Sequence, residues 1–560
     1  MLSRLAQLML SNRGLTESYL SDISCDGHRE LLHTDDACSL LRKAFDDKTL
    51  VTVLPDFDMD GIMFGVLAFT GLSLMGFRAA LYVPDLSDGY GFTEQSVDRL
   101  LSIYPDTGLV FTGDVGIQCF GGVRAFKNKG VSVLLTDHHM PSSRLPEADV
   151  VVNPLLPEES YEHPRICGAY VGFQILESYA CRYCDWSVRE QLRRLRVFAG
   201  IGTVSDVMPV LYENRSLVKD AVSICRFLYS NGPDGILAES CCGVYSSAMY
   251  GLCSVLRFLE QKQVIKSEDD ITETLFGFYL APMFNSVKRM GDDIGLAFRV
   301  FFSDTPFDFL DALWDLNSQR KWEVESSFAR MLRDDRSYAP FLYISDVRSG
   351  LLGLLAQKAI DPGKGPCIVV AQSENGRFHG SGRSPAWYPF LSRAEKSGLN
   401  VFAAGHNSAF GIGFSNETEL RAFLDFLQKD VESVSASVEP EAPHYDFVID
   451  PHGGGDTDID ISLFYAYLDD LRLLSPFGEG FAKPNILLRI AKGDGDFEVI
   501  GSRKNHLKIH LAYGFDVILW NRGQDKDVLE RAESLSFTGR LSKSEFRGVE
   551  SVSFIADSIV

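Results

Sequence analysis

Val51-Thr52-Val53-Leu54-Pro55-Asp56-Phe57-Asp58-Met59-Asp60-Gly61 decides how the first half of this chain is read. Val51–Pro55 is a short β-rich run that predicts a strand, and a helical apolar pattern begins at Gly61. Three carboxylates at alternating positions occupy the turn between them. Crowded in this way they repel one another, and divalent cations remove that cost. Gly61 allows the tight turn. A calcium-binding EF-hand loop would need a bidentate Glu at its twelfth position, which here is Leu67, so that reading fails.

The same alternation continues outward. Ala79–Val83, Leu109–Thr112 and Val131–Thr136 read as strands and Gln95–Ile103 as a helix, the pattern of a doubly wound α/β sheet. Such sheets place ligands beyond the carboxyl ends of their strands. There the sequence offers Asp114, then Asp137-His138-His139, and, after a helical stretch, Asp206. A lone strand-end Asp is usually a helix cap, but two adjacent imidazoles need partners or a metal. Together with Asp56, Asp58 and Asp60 they supply the roughly six ligands that a two-metal hydrolase uses. Carboxylate and imidazole donors suit Mn²⁺ or Mg²⁺, with no thiolate to favour zinc.

The 560 residues carry 54 Lys and Arg against 76 Asp and Glu, a net charge of −22. The length predicts about three to five domains. Residues 1–47 form an N-terminal helical segment, and 48–335 form the first α/β unit with a helical connector. A second, smaller α/β unit spans 336–430, an acidic connector with a helix spans 431–485, and a small antiparallel barrel spans 486–560. Simple charge arithmetic argues against a phosphate-bearing partner. The acid is localised, however: residues 438–485 hold ten acids against Arg472 and Lys483, whereas 486–560 balance eleven against eleven. Contact with a nucleic acid is therefore expected in a local groove. The eleven Cys are too sparse for a disulfide framework, and Cys181-x-x-Cys184 lacks the second pair a zinc site needs. With no apolar signal segment and no run long enough to span a bilayer, a cytoplasmic setting without membrane contact is expected.

These motifs together resemble the DHH phosphoesterase superfamily, and within it the RecJ single-strand-specific exonucleases. The resemblance rests on the triplet Asp137-His138-His139, on Asp88-Gly89-Tyr90-Gly91, on Leu145 through Asn153-Pro154, and on Gly168-Ala169. It extends to Ile201–Pro209 with Asn214-Arg215. It implies a doubly wound parallel-sheet DHH domain, a DHH-associated α/β domain and a C-terminal OB-like β-barrel. It further implies that Asp56, Asp58, Asp60, Asp114, His138 and Asp206 hold two divalent cations, with Asp114 between them. His139 would orient the phosphate and Asp137 would brace the imidazoles. Leu54 stands where relatives often have His, and Met283 where they have Arg.

By the same resemblance Asn285 and Arg289 fall on polar substrate-binding positions, and Ser381, Arg383, Gly405 and His406 belong to a glycine-rich phosphate-gripping surface. In the tail, the alternation at His506–Leu511 with Phe515, Trp520, Arg522, Phe537 and Arg540 suits a barrel that stacks unpaired bases. The implied activity is metal-dependent degradation of single-stranded DNA from the 5′ end to 5′-mononucleotides by a monomer, in repair and recombination. A duplex could not thread between the two α/β units. A single-strand-binding protein or a helicase is the implied partner class. Two rivals remain open: a DHH phosphodiesterase of short oligonucleotides or cyclic dinucleotides, against which the barrel tail argues, and a catalytically silent DNA-holding scaffold, against which the full set of carboxylates argues.

Overall fold

A computed structural model describes residues 2–17, 30–83, 85–86, 91–233, 243–334, 336–436, 444–502, 504–546 and 549–560. Asp88-Gly89-Tyr90 lies outside the described residues. The chain divides into two compact units: His28–Met208 with Asp220–Pro440, and Met1–Gly27 with Pro209–Lys219 and Glu441–Val560.

The first of these contains two sheets. One is all-parallel, with β1 (Leu50–Pro55), β2 (Ala79–Leu81), β3 (Thr107–Gly113), β4 (Ser132–Thr136) and β5 (Val150–Val152) in the order β2-β1-β3-β4-β5. This order reverses direction between β1 and β3, the switch point where doubly wound sheets bind ligands. Helix Met59–Leu74 is apolar on every side, and it is buried accordingly against helices Gly168–Tyr183 and Arg196–Ser205. It starts at Met59, two residues before the apolar pattern, because the Asp58 side chain caps it.

The second sheet holds β6 (Leu342–Ile344), β7 (Cys367–Gln372), β8 (Phe378–Arg383), β9 (Phe402–Gly405) and β10 (Ala409–Phe414) in the order β6-β7-β8-β10-β9. Only β6 and β7 run parallel; the other pairs are antiparallel. Helix Glu417–Ser435 covers it with Leu420, Phe423, Leu424, Leu427 and Val431, a single stripe at helical spacing.

The other unit is a seven-stranded sheet: β11 (Phe447–Ile449), β12 (Ile486–Ala491), β13 (Gly495–Ile500), β14 (His506–Leu511), β15 (Asp516–Leu519), β16 (Ser534–Phe546) and β17 (Val549–Ile559), ordered β11-β12-β16-β17-β15-β14-β13. Three distant pieces of chain complete its core. Helix Arg4–Asn12 packs on helix Ile461–Leu474. Arg13 binds the buried Asp446 carboxylate at 2.6 and 2.8 Å. Arg215 donates to the Ser475 and Pro476 carbonyls at 3.0 and 3.1 Å, so the Asn214-Arg215 motif holds the connector in place. Phe515 and Phe537 are core residues here, whereas Trp520 is half exposed, with the His506 ring against it. The basic stripe of β14 is locally neutralised: Lys508 pairs with Asp516, and His510 with Asp516 and Glu498.

Candidate metal centre and phosphate groove

The strand-to-helix turn after β1 sorts its three carboxylates into different environments. Asp58 Oδ1 accepts from the N–H groups of Asp60 and Gly61 at 3.1 and 3.3 Å. Asp60 points inward and accepts from the Gly168 and Ala169 N–H groups at 2.6 and 3.3 Å. These are orphan donors of the helix Gly168–Tyr183 N-terminus, whose dipole favours an anion. The approach is close enough to require glycine: a Cβ at Gly202 would lie 2.3 Å from Asp60 Oδ1, and one at Gly168 2.5 Å from Asp114 Cβ.

Asp114 follows β3 with φ of +63°, a left-handed conformation that Asp tolerates better than most residues. Asp137 follows β4 and accepts from the N–H groups of Ile117, His138 and His139 at 2.9, 2.8 and 3.1 Å. It also binds His139 Nδ1 at 2.8 Å. His138 Nδ1 donates to the Ile166 carbonyl at 2.9 Å, which leaves Nε2 aimed at Asp114 Oδ1, 3.0 Å away, and at Asp206 Oδ2, 3.6 Å away. Both His138 Nε2 and Asp114 Oδ1 are buried without a hydrogen-bond partner. Asp206 itself caps helix Arg196–Ser205 at its C-terminal end, followed by Val207 at φ +55°, strained for a β-branched residue.

The protonation pattern follows from this packing. Burial, then the neighbouring Asp58, pushes Asp56 and Asp60 each up to about 7. Burial with the charges of Asp60 and Asp58 takes Asp206 to about 8, and burial with Asp60 raises Asp114 well above the carboxylate range. Desolvation, helped by the His139 charge, drops His138 to about 4, so its imidazole is neutral. Burial opposes charge on His139, but the bond to Asp137 outweighs it and lifts the ring to about 9. Burial likewise works against the Asp137 carboxylate, and the His139 bond and backbone donors hold it below its ordinary value. The pair is thus an ion pair beside a cluster of carboxyl groups that packing drives toward the protonated form.

Three donor sets each gather within 4.8 Å: Asp114, His138 and His139; Asp60, His138 and Asp206; Asp56, Asp58 and Asp114. Asp114 and His138 each belong to two sets, the arrangement that adjacent cations sharing ligands require. The orphaned Nε2 and Oδ1 atoms, together with oxygen and imidazole donors, fit hard divalent cations. Leu54 is packed into the core under the sheet and offers no ligand.

The cationic side of the site comes from three other elements. Asn285 Oδ1 accepts from the Met59 N–H at 2.7 Å, so this residue braces the acidic turn from behind. Arg289 lies on helix Ser286–Met290, half-buried; burial and the nearby guanidinium groups of Arg320 and Arg383 lower its pKa. Arg320 is fixed by Asn317 Oδ1 at 3.0 and 2.9 Å, and Arg383 by Gln357 Oε1 at 3.1 Å and the Gly382 carbonyl at 2.8 Å. Among the described residues none of the three forms an ion pair, although the charge of Asp58 acts on Arg289. Guanidinium groups without an ion-pair partner form a ready seat for an anion. Ser381 shares the β8 face with Arg383. Gly405 and His406 stand exposed at the turn from β9 to β10, where the bonds are those of the backbone. Sequence reading missed Arg320 and the Ile166 carbonyl. The spacing Asn317-x-x-Arg320 on one helix face was the available signal for the first; nothing in sequence marks the second.

A parallel sheet of this order, with carboxylates and a tandem histidine at its switch point, defines a DHH-type domain. Residues 50–196 match the DHH family, N-terminal domain, and residues 457–558 match the RecJ OB domain. The single-stranded-DNA-specific exonuclease RecJ of Dickeya dadantii is 25% identical over 601 residues, covering 100% of this chain and 96% of that protein. The RecJ of Escherichia coli is 25% identical over 99% of this chain and 95% of that protein. RecJ from Thermus thermophilus, solved in complex with Mn²⁺, shares the fold with a TM-score of 0.74 at 22% identity, over 100% of this chain and 76% of that one. The chain is thus similar along its length to RecJ proteins, and its residues 50–196 match the DHH family.

Proposed function

We propose that this protein is a divalent-cation-dependent exonuclease that degrades single-stranded DNA from the 5′ end to 5′-mononucleotides. The observation that carries the reading is the buried, donorless contact between His138 Nε2 and Asp114 Oδ1, shared between adjacent cation-ready sets. The single-stranded-DNA-specific exonucleases to which the chain is similar along its whole length support the substrate, and the Mn²⁺ of the Thermus relative supports the cofactor. Asp56, Asp58, Asp60, Asp114, His138 and Asp206 would hold two Mn²⁺ or Mg²⁺ ions. When bound, these supply charge neutralisation at the phosphate and an acidified water as nucleophile.

The chain's own residues do the rest. Asp137 keeps His139 protonated, so the imidazolium directs a positive charge at a phosphate oxygen. Ile166 fixes the His138 tautomer. Asn285 holds the acidic turn, and Arg289, Arg320 and Arg383 with Ser381 seat backbone phosphate. Gly405 and His406 extend that surface. The division into a DHH domain, DHH-associated domain, acidic connector and OB domain is part of the proposal, as are a monomeric cytoplasmic enzyme and a single-strand-binding protein or helicase as partner. No helix among the described residues is long and apolar enough to cross a membrane.

Digestion of 5′- and 3′-labelled single strands, duplexes and dinucleotides with Mn²⁺ or Mg²⁺ tests the reading. Mononucleotides are expected from the 5′ end of long single strands. Turnover confined to dinucleotides would replace it with a short-oligonucleotide phosphodiesterase.

A further inference from the structure

Three unusual features lie at the Asp206 end of helix Arg196–Ser205 and in the segment packed on that helix. Val207 is exposed and strained at φ +55°. Phe278 is the most exposed of the large apolar side chains described, at 74%, and Tyr279 next to it is 39% exposed. Both aromatics sit in a π-helical segment, Phe276–Leu280, whose wide turn is anchored by the buried Phe276 and Leu280. Such turns are uncommon and concentrate at functional sites. The segment packs on the Asp206 helix: a Cβ at Gly277 would lie 3.3 Å from Val204 Cγ1, and the Val207 N–H turns back to the Val204 carbonyl at 3.3 Å. Downstream, the same stretch of chain supplies Asn285 and Arg289.

We propose that Phe278, in the segment packed on the Asp206 helix, is a stacking platform for one unpaired nucleobase of the strand whose phosphates enter the neighbouring centre. The inference rests on the reading of that centre as one acting on nucleic acid. An exposed aromatic residue next to the contact of Gly277 with the Asp206 helix, in the stretch of chain that goes on to Asn285 and Arg289, suits a ligand that combines a phosphate with a flat apolar ring. A nucleotide is that ligand. A base can lie on Phe278 only after leaving its own stack, so the platform admits a single strand and rejects a duplex at the point of cleavage.

The test is binding of an oligonucleotide carrying terminal 2-aminopurine, read by fluorescence quenching in the Asp114→Asn background. Phe278→Ala is expected to weaken binding on the order of tenfold, and Phe278→Trp to restore it. A strand with abasic sites at the same positions should bind Phe278→Ala and its parent equally. Equal binding of the normal strand by both, or an undiminished loss on the abasic strand, would overturn the stacking role, the latter pointing to a structural or protein-docking one. Cleavage of the same strand by the otherwise unaltered protein in Mn²⁺ reports separately on the function of the centre, so either idea can fail alone.

Discussion

His138 Nε2 and Asp114 Oδ1 stand 3.0 Å apart, both buried and neither with a hydrogen-bond partner. The Ile166 carbonyl occupies the other imidazole nitrogen, so a neutral His138 presents a lone pair to a carboxylate oxygen. Two acceptors at this distance repel unless a proton or a cation stands between them. The fold supports the arrangement at some cost, through the left-handed backbone of Asp114 and the crowded glycines Gly168 and Gly202.

Replacing the carboxylate should therefore exchange function for stability. Asp114→Asn keeps a residue that accepts positive φ and removes a carboxyl group whose ionisation burial opposes. Cleavage should be abolished, while the melting temperature in chelator rises by a few degrees. Scanning calorimetry beside a nuclease assay checks both. Near-normal turnover with added Mn²⁺ would remove Asp114 from the centre.

Asp137 acts through His139. In Asp137→Asn the imidazole loses the partner that lifts it to about 9 and should titrate closer to its ordinary value. Turnover should fall roughly 10- to 100-fold, as for other residues that orient a catalytic group. The alkaline limb of the pH–rate profile should move to lower pH. An unmoved limb would show that His139 protonation is irrelevant.

The raised carboxylates give the cation-free protein an inverted pH response. A folded-state pKa of about 7 to 8 at Asp56, Asp60 and Asp206 exceeds the unfolded value, so the native state holds the extra protons. Their contribution to stability is full below the unfolded pKa and is lost as pH rises through the folded one. Thermal melts in chelator should fall between about pH 4 and 8, and saturating Mn²⁺ should flatten that slope. Equal slopes with and without the ion would contradict the cluster as its site.

The three arginines without an ion-pair partner among the described residues predict a binding defect separable from chemistry. Arg320→Ala should raise KM for single-stranded DNA about tenfold with a smaller effect on kcat, and Arg320→Lys should rescue it only in part. Inhibition by inorganic phosphate should weaken in parallel. A pure kcat defect would place Arg320 elsewhere in the mechanism.

Much of the candidate centre is legible in the chain because the residues that would serve as ligands come in short contiguous motifs at strand ends. Asp56-x-Asp58-x-Asp60 and Asp137-His138-His139 need no tertiary information to be noticed. What escapes is set by packing between distant segments. Asn285 is read in the sequence as a candidate substrate contact, yet its side chain braces Met59, 226 residues away. Arg320 belongs to no motif and gains meaning only from Arg289 and Arg383 beside it. In the tail, aromatic and basic residues read alike in sequence whether they face the core or solvent. Burial separates Phe515 and Phe537 from Trp520, and acidic neighbours neutralise Lys508 and His510.

The most direct measurement follows 3′-labelled and 5′-labelled single-stranded DNA through digestion by the protein and by Asp114→Asn, in Mn²⁺ and in chelator. The account predicts early release of labelled 5′-mononucleotide from the 5′-labelled strand, in Mn²⁺ only and by the unaltered protein only. Mononucleotide release that persists in chelator, or that survives Asp114→Asn, would contradict it.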